Sequence, residues 1–331
     1  LDFYFRPSWA PQKKKNVQRT INKVKMKKKN FLFASMKFVL VSAVVLMACS
    51  KDRIEQDLNT YESPNQYLDA KKQDEQIFVI DTSGTGPIVG NQGTTIWGSI
   101  DCLEFANGDS VDYPFIVKLV ELYSAKDMIY YQMPTISANK AIQSAGEIRL
   151  RAEKNGMPLQ LMEGCAFKVS MPSDSVLPNF MTVFYGDEAV SPLNWRSDLS
   201  FFGITPIQNS IFEIDTIGYS AFIERLGWIN ADRLINGSLF HTISFESDVD
   251  DLTNVAIFAY LPETHSVLQK VGNNINGIPD GVFTKVLALA LGVNGELFYY
   301  YQELEVNGSQ TLNISLSPTT DQAFTQLLDG L

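Results

Sequence analysis

Cysteine and histidine, the side chains best suited to nucleophilic and metal chemistry near neutral pH, occur only five times in these 331 residues. His241 and His265 fit no zinc spacing, and neither Gly-x-Ser-x-Gly nor His-Glu-x-x-His occurs. No catalytic constellation is therefore expected. A Cys–His nucleophile would need Cys102 or Cys165 with a remote partner, and in an oxidising compartment those two thiols could pair as a disulfide instead. Two small buried thiols inside a sheet are the other expectation. Carboxylate catalysis needs only two acids at a set separation, so a hydrolase acting on polysaccharide stays open as the alternative function.

Glu246, Asp248, Asp250 and Asp251 form the tightest acidic cluster. Oxygen-rich extracellular loops bind calcium at about 10⁻⁴–10⁻³ M, but this spacing matches no defined calcium loop. A solvated turn between strands over 241–245 and 254–260 is the ordinary reading, and no other metal or cofactor is expected. Gly84-Thr85-Gly86 with Gly90 follows a strand, yet Pro87 breaks it and no helix follows to hold a pyrophosphate. It reads as a loop. Phe298, Tyr299, Tyr300 and Tyr301 could stack on sugars. Alternation in a strand instead places Phe298 and Tyr300 with Leu304 and Val306, a core face, and Tyr299 and Tyr301 with Glu303 and Glu305. Trp195 and Trp228 read as packing at a domain joint.

The elements that must position these side chains are mostly strands. Asn-Gly occurs six times, at 107, 155, 236, 276, 294 and 307, and suits the tight turn of a hairpin. Ile148, Leu150 and Ala152 alternate with charged neighbours before Asn155, and Leu159 and Leu161 follow Gly156, which predicts a hairpin with one wet face. Residues 282–291 are almost continuously apolar and 297–306 are aromatic-rich, as in a sandwich core. The best helix is the last: Pro318, Thr319 and Thr320 open it, and Ala323, Phe324, Leu327 and Leu328 make its apolar stripe. The expected class is all-β, with two β-sandwich (immunoglobulin-like) domains over 77–185 and 221–331, an irregular joint over 186–220 and a short C-terminal helix.

Upstream of these elements stands a different pattern. Lys27, Lys28 and Lys29 precede an apolar run over 38–47, and Leu46-Met47-Ala48-Cys49 closes it. A positive start, an apolar stretch and a small residue at the cut define a secretory signal. With cysteine next, the pattern reads as a lipobox, in which Cys49 becomes an acylated N-terminus. The run after Lys37 is roughly half the 20 or so residues of a spanning helix. The signal peptide is expected over 26–48, starting at Met26 or Met36, with 1–25 as mistranslated upstream sequence. Residues 49–76 are polar and are expected to be a flexible tether.

Residues 1–48 hold 11 of the 27 Lys and Arg and one of the 37 Asp and Glu, so the rest carries 16 basic and 36 acidic side chains, near −20. That charge repels phosphate backbones and argues against nucleic-acid partners. It suits a water-facing body held to a membrane by lipid alone.

Several short signatures add to this: Asp127-Met128-Ile129 with Pro134-Thr135, Gly146-Glu147-Ile148, Asn194-Trp195, and Gly227 through Arg233. Together they resemble uncharacterised surface lipoproteins of the Bacteroidota. The resemblance implies an outer-membrane lipoprotein, periplasmic or surface-exposed, whose partners are the membrane, a glycan or another envelope protein; it implies no reaction. Lys51-Asp52 is similar to the charged export tags of that phylum, diluted here by Arg53 and Ile54. Three Asp-[Ser/Thr]-aliphatic triplets, centred on Ser110, Ser175 and Thr216, resemble its O-glycosylation motif, against an ordinary reading as turns.

Overall fold

The computed structural model describes residues 57–83, 86–173, 179–207, 210–214, 218–237 and 239–331. Cys49, the leader, Ser175, Thr216 and the loop glycine Gly84 lie outside the described residues. Asp57–Leu331 forms one unit, and its class is all-β: antiparallel sheets stacked as sandwiches, with a short C-terminal helix.

Four sheets account for nearly all the strands. Sheet I runs, in spatial order, Glu213–Ile214, Gly218–Ile223, Phe167–Pro172, Thr95–Trp97 and Ile88–Val89. Sheet II runs Gln76–Ile80, Phe115–Leu122, Lys140–Lys154, Gly227–Leu234, Thr182–Asp187 and Asn194–Arg196. Sheet III runs Ser266–Gln269, Ala256–Leu261, Val282–Leu291, Leu297–Val306 and Ser317–Thr319. Sheet IV is Asn274–Pro279, Phe240–Glu246 and Gln310–Asn313, the last pair being parallel.

Alternation assigns each face of these strands. Along Lys140–Lys154, Ile148, Leu150 and Ala152 point into a core shared with Val169, Met171 and Ala221 of sheet I. Ile257, Ala259, Val286 and Ala288 of sheet III face Ile243 and Ile275 of sheet IV in a second sandwich core. The opposite faces of sheets II and III enclose a third core. It is filled by Leu68 of helix α1 (Asn65–Ala70), Met128 and Ile129 of α2 (Ala125–Tyr131), and Phe324 and Leu328 of α3 (Asp321–Asp329). Because Ala256–Leu261 and the second half of Val282–Leu291 are buried on both faces, these central strands of sheet III read as continuously apolar rather than alternating.

The boundary between the sandwiches differs from expectation. Gly218–Ile223 pairs with Phe167–Pro172, and Gly227–Leu234 lies between Lys140–Lys154 and Thr182–Asp187. Both strands complete the first sandwich, which therefore reaches Leu234, and the segment over 186–220 folds within it as two edge strands and their connections. Ladder partners far apart in sequence leave no local signal, so proximity along the chain misassigned these strands.

The tether is also shorter than expected. Residues 57–76 are ordered: Tyr61 and Leu68 are buried, Asn59 bridges to Asp250, and Glu62 bridges to Leu291. A polar composition concealed two aromatics and a leucine that reach the cores. Helix α2 went unread although Ser124-x-x-Asp127 is a capping pattern; the Ser124 hydroxyl accepts from the Asp127 amide and donates to its carboxylate at 2.7 Å. Helix α3 opens on Thr320, whose hydroxyl accepts from the Ala323 amide.

Of the Asn-Gly pairs, Asn155-Gly156 makes the two-residue hairpin, with both residues at positive φ and Lys154 opposite Met157. Asn276-Gly277 is instead an irregularity inside a strand: Gly277 sits at φ +77, against the backbone of Asn139 and Lys140, where a side chain would collide.

Candidate functional site

The structure scatters the expected site residues. Cys102 and Cys165 are joined as a disulfide, with Cα atoms 5.4 Å apart, tying the start of one edge strand to the loop after its partner. His241 pairs with Asp280 at 2.7 Å, far from any cysteine of that bond in fold position, on sheet IV. Ser110 lies exposed in a bridge to Glu104. Phe298 and Tyr300 pack toward the sheet III–IV core, while Tyr299 and Tyr301 pack toward the helical layer. The four aromatics are half-buried on two faces and form no single platform. Trp195 and Trp228 sit in the helical layer, where the Trp195 indole donates to the Pro134 carbonyl at 3.0 Å.

The acidic cluster over 246–251 is occupied by internal bonds. Asp250 is buried and accepts from the Tyr61 hydroxyl, the Asn59 amide, the Ser247 hydroxyl and the Leu316 backbone amide. Those bonds together hold its carboxyl below the usual range although burial opposes them as the largest single influence. Asp251 accepts twice from Thr253, and Asp248 accepts from Asn313 at 2.7 Å. Among the described residues, no three His, Cys, Asp or Glu side chains converge where a metal ion could sit. Asp248, Asp250 and Asp251 anchor the N-terminal segment and neighbouring turns, while Glu246 stands exposed at the strand end.

A different place brings polar chemistry together. A cavity of about 740 Å³ opens where sheet II meets the turn Pro262–Thr264 of the second sandwich. Gln92, Tyr123, Gln143, Ser144, Thr264 and His265 supply its polar lining, with the exposed carboxylate of Glu263 beside them, and Met181, Pro172 and Pro262 its apolar patches. The strand register slips beside it, between Asn230 and Asp232 opposite Glu147 and Ser144. Gly146 permits the slip at φ +126, and the Tyr123 ring fills the space its side chain would need. The tyrosine hydroxyl meets Thr94 Oγ1 at 2.7 Å.

Behind this cavity lies a buried polar group. The Ser144 hydroxyl donates to Asn230 Oδ1 at 2.9 Å and accepts from the Gly146 amide at 3.1 Å. Asn230 Nδ2 reaches Glu147 Oε1 at 3.4 Å. Glu147 and Asp232 are both fully buried. Desolvation raises both carboxyls well above their ordinary range, and the Asp232 charge adds to the effect on Glu147.

His265 occupies the cavity wall in a left-handed conformation, φ +51, with its ring edge-on to Tyr260. Burial lowers its pKa, opposed by a bond from the ring to the Ser144 backbone carbonyl. The imidazole is thus neutral at pH 7 and contacts Ser144 through the main chain. The Ser144 hydroxyl is directed to Asn230, so the two side chains do not make a nucleophile and base.

Glu147, Asn230, Asp232 and His265 were not singled out as a site, since they come from two strands and a turn that lie far apart in sequence. One signal was present. The signatures behind the resemblance converge here: Glu147, Asn230 and Asp232 form the polar group, and Met128, Ile129, Trp195 and Trp228 form the adjoining helical core. Compared with family models, curated proteins and solved structures, the chain matches none.

Proposed function

We propose that this chain is an exported, lipid-anchored envelope protein whose folded body serves binding, adhesion or assembly rather than catalysis. The lysines before the apolar run and the Leu46-Met47-Ala48-Cys49 sequence support the anchor. The Cys102–Cys165 disulfide suits an oxidising compartment outside the cytosol. In this reading Cys49 carries acyl chains such as palmitate, and the body faces the periplasm or the outside at the outer membrane. No helix among the described residues is long and apolar enough to cross a membrane.

The observation that carries a binding role is the seam cavity. Amide, hydroxyl and aromatic groups line it beside a single carboxylate, Glu263, held on strands of the first sandwich and a turn of the second, and this is the lining of a pocket that fixes polar, hydroxyl-rich ligands. A glycan fits that chemistry, and another envelope protein presenting amides and hydroxyls fits it too. The hydrolase alternative would need two carboxyls facing substrate, whereas Glu147 and Asp232 are sealed behind the wall. A glycan array run beside a polysaccharide-hydrolysis screen tests the reading. Binding without turnover is expected; release of reducing ends from any polymer would overturn it.

A further inference from the structure

A second cavity, about 430 Å³, lies at the far end of the first sandwich beside the disulfide. Leu159, Phe202, Ile204 and Leu226 give it apolar walls, and Glu104, Glu163 and Glu224 give it three carboxylates. Glu224 is the unusual one. It is 94 % buried, from a relative exposure of 6 %. Its Oε2 accepts from the Ile207 amide at 2.9 Å, but Oε1 is buried with no hydrogen-bond partner among the described residues. A buried carboxylate oxygen without a donor forfeits its hydration and gains nothing in return, so such an atom invites one.

The nearest cation does not supply it. Arg225 lines the same cavity, yet its guanidinium stacks on the Phe202 ring at 4.1 Å and donates to the Gly186 carbonyl at 3.3 Å. Its charge is drawn toward Glu188 and Asp187. Among the described residues, no ion pair joins Arg225 to Glu224. Glu104 accepts from Gln160 at 2.9 Å, and Glu163 stands exposed at the rim.

We propose that this cavity binds an organic cation, a primary ammonium on a short aliphatic stem, with Glu224 Oε1 receiving the head and the apolar walls receiving the stem. The ammonium has donors and no acceptor, which is what a lone carboxylate oxygen lacks. The surplus of acidic side chains beyond residue 48, 36 against 16 basic, draws cations to the body and adds to the encounter rate. The inference concerns a site separate from the seam cavity and does not depend on what that cavity binds.

The test titrates the full chain with n-pentylamine and with pentan-1-ol, by calorimetry and by ligand-observed NMR. The amine should bind about tenfold or more tighter than the alcohol, the ratio expected of one charge-assisted hydrogen bond. Glu224→Gln should abolish the difference, and Glu163→Gln, at the exposed rim, should only weaken it. Equal binding of amine and alcohol to the wild-type chain would overturn the proposal, whether or not the Glu224 variant folds. Nα-acetyl-lysine methylamide separates the sources of the ammonium. Binding as tight as pentylamine identifies a lysine of a partner protein as the occupant, whereas binding of pentylamine alone identifies a free amine.

Discussion

Glu147 and Asp232 are paired acids placed where neither can serve as a surface carboxylate. Folded, they keep their protons to higher pH than in an unfolded chain, because burial penalises the charged form. Above the ordinary carboxylate range the unfolded state therefore binds fewer protons, and stability falls as pH rises toward the folded values. Asp232→Asn removes one such group with little change of shape. Its Tm should match wild type near pH 4 and exceed it at pH 7.5 by several degrees, at about 2–4 °C per kcal/mol for a body of this size. Parallel Tm profiles for the two proteins would contradict this. The disulfide supplies a second residue-scale prediction. It closes a separation of 63 residues, so Cys102→Ser with Cys165→Ser should cost about 4 kcal/mol by chain entropy, read by urea unfolding. The sequence held these two cysteines as equally well bonded or buried; only their opposition across paired edge strands decides between the two.

At the scale of elements, short-range chemistry was legible and long-range pairing was not. The Asn155-Gly156 hairpin, the Thr320 cap and the parity of Phe298 through Tyr301 all follow from neighbours within a few residues. The strands Gly218–Ile223 and Gly227–Leu234 went to the wrong sandwich because their partners lie up to 92 residues away, as Leu234 opposite Ile142 illustrates. The N-terminal segment misled for a related reason: its polar side chains bond to Asp250 and its few apolar ones reach cores built much later in the chain. Asp250→Ala should release that segment. Loss of buried bonds to Tyr61 and Leu316 is expected to cost about 2–4 kcal/mol, and limited proteolysis should cut between 57 and 64 in the variant before the wild type. Unchanged cleavage there would show that Tyr61 and Leu68 hold the segment without the carboxylate.

The whole molecule is two sandwiches sharing a third core of helices. Trp228 and Phe184 of sheet II, Phe258 and Leu287 of sheet III, and Phe324 of α3 all bury against it. A core of that kind joins the sandwiches into one cooperative body, so calorimetry should record a single transition. Phe324→Ala, which opens a void there, should lower it by about 3–5 kcal/mol without splitting it. Two resolved transitions would mean that each sandwich stands alone. The candidate site was illegible for the same reason that the molecule is one body: its residues come from both sandwiches and meet only when the layers close.

The claim on which the setting of this body depends is acylation of Cys49. Metabolic labelling with an alkynyl fatty acid, followed by separation of membrane and soluble fractions, tests it most directly. The wild-type chain should carry label and sediment with membranes, and Cys49→Ser should lose both. Equal labelling of the two proteins, or an unlabelled wild-type chain in the soluble fraction, would contradict the account.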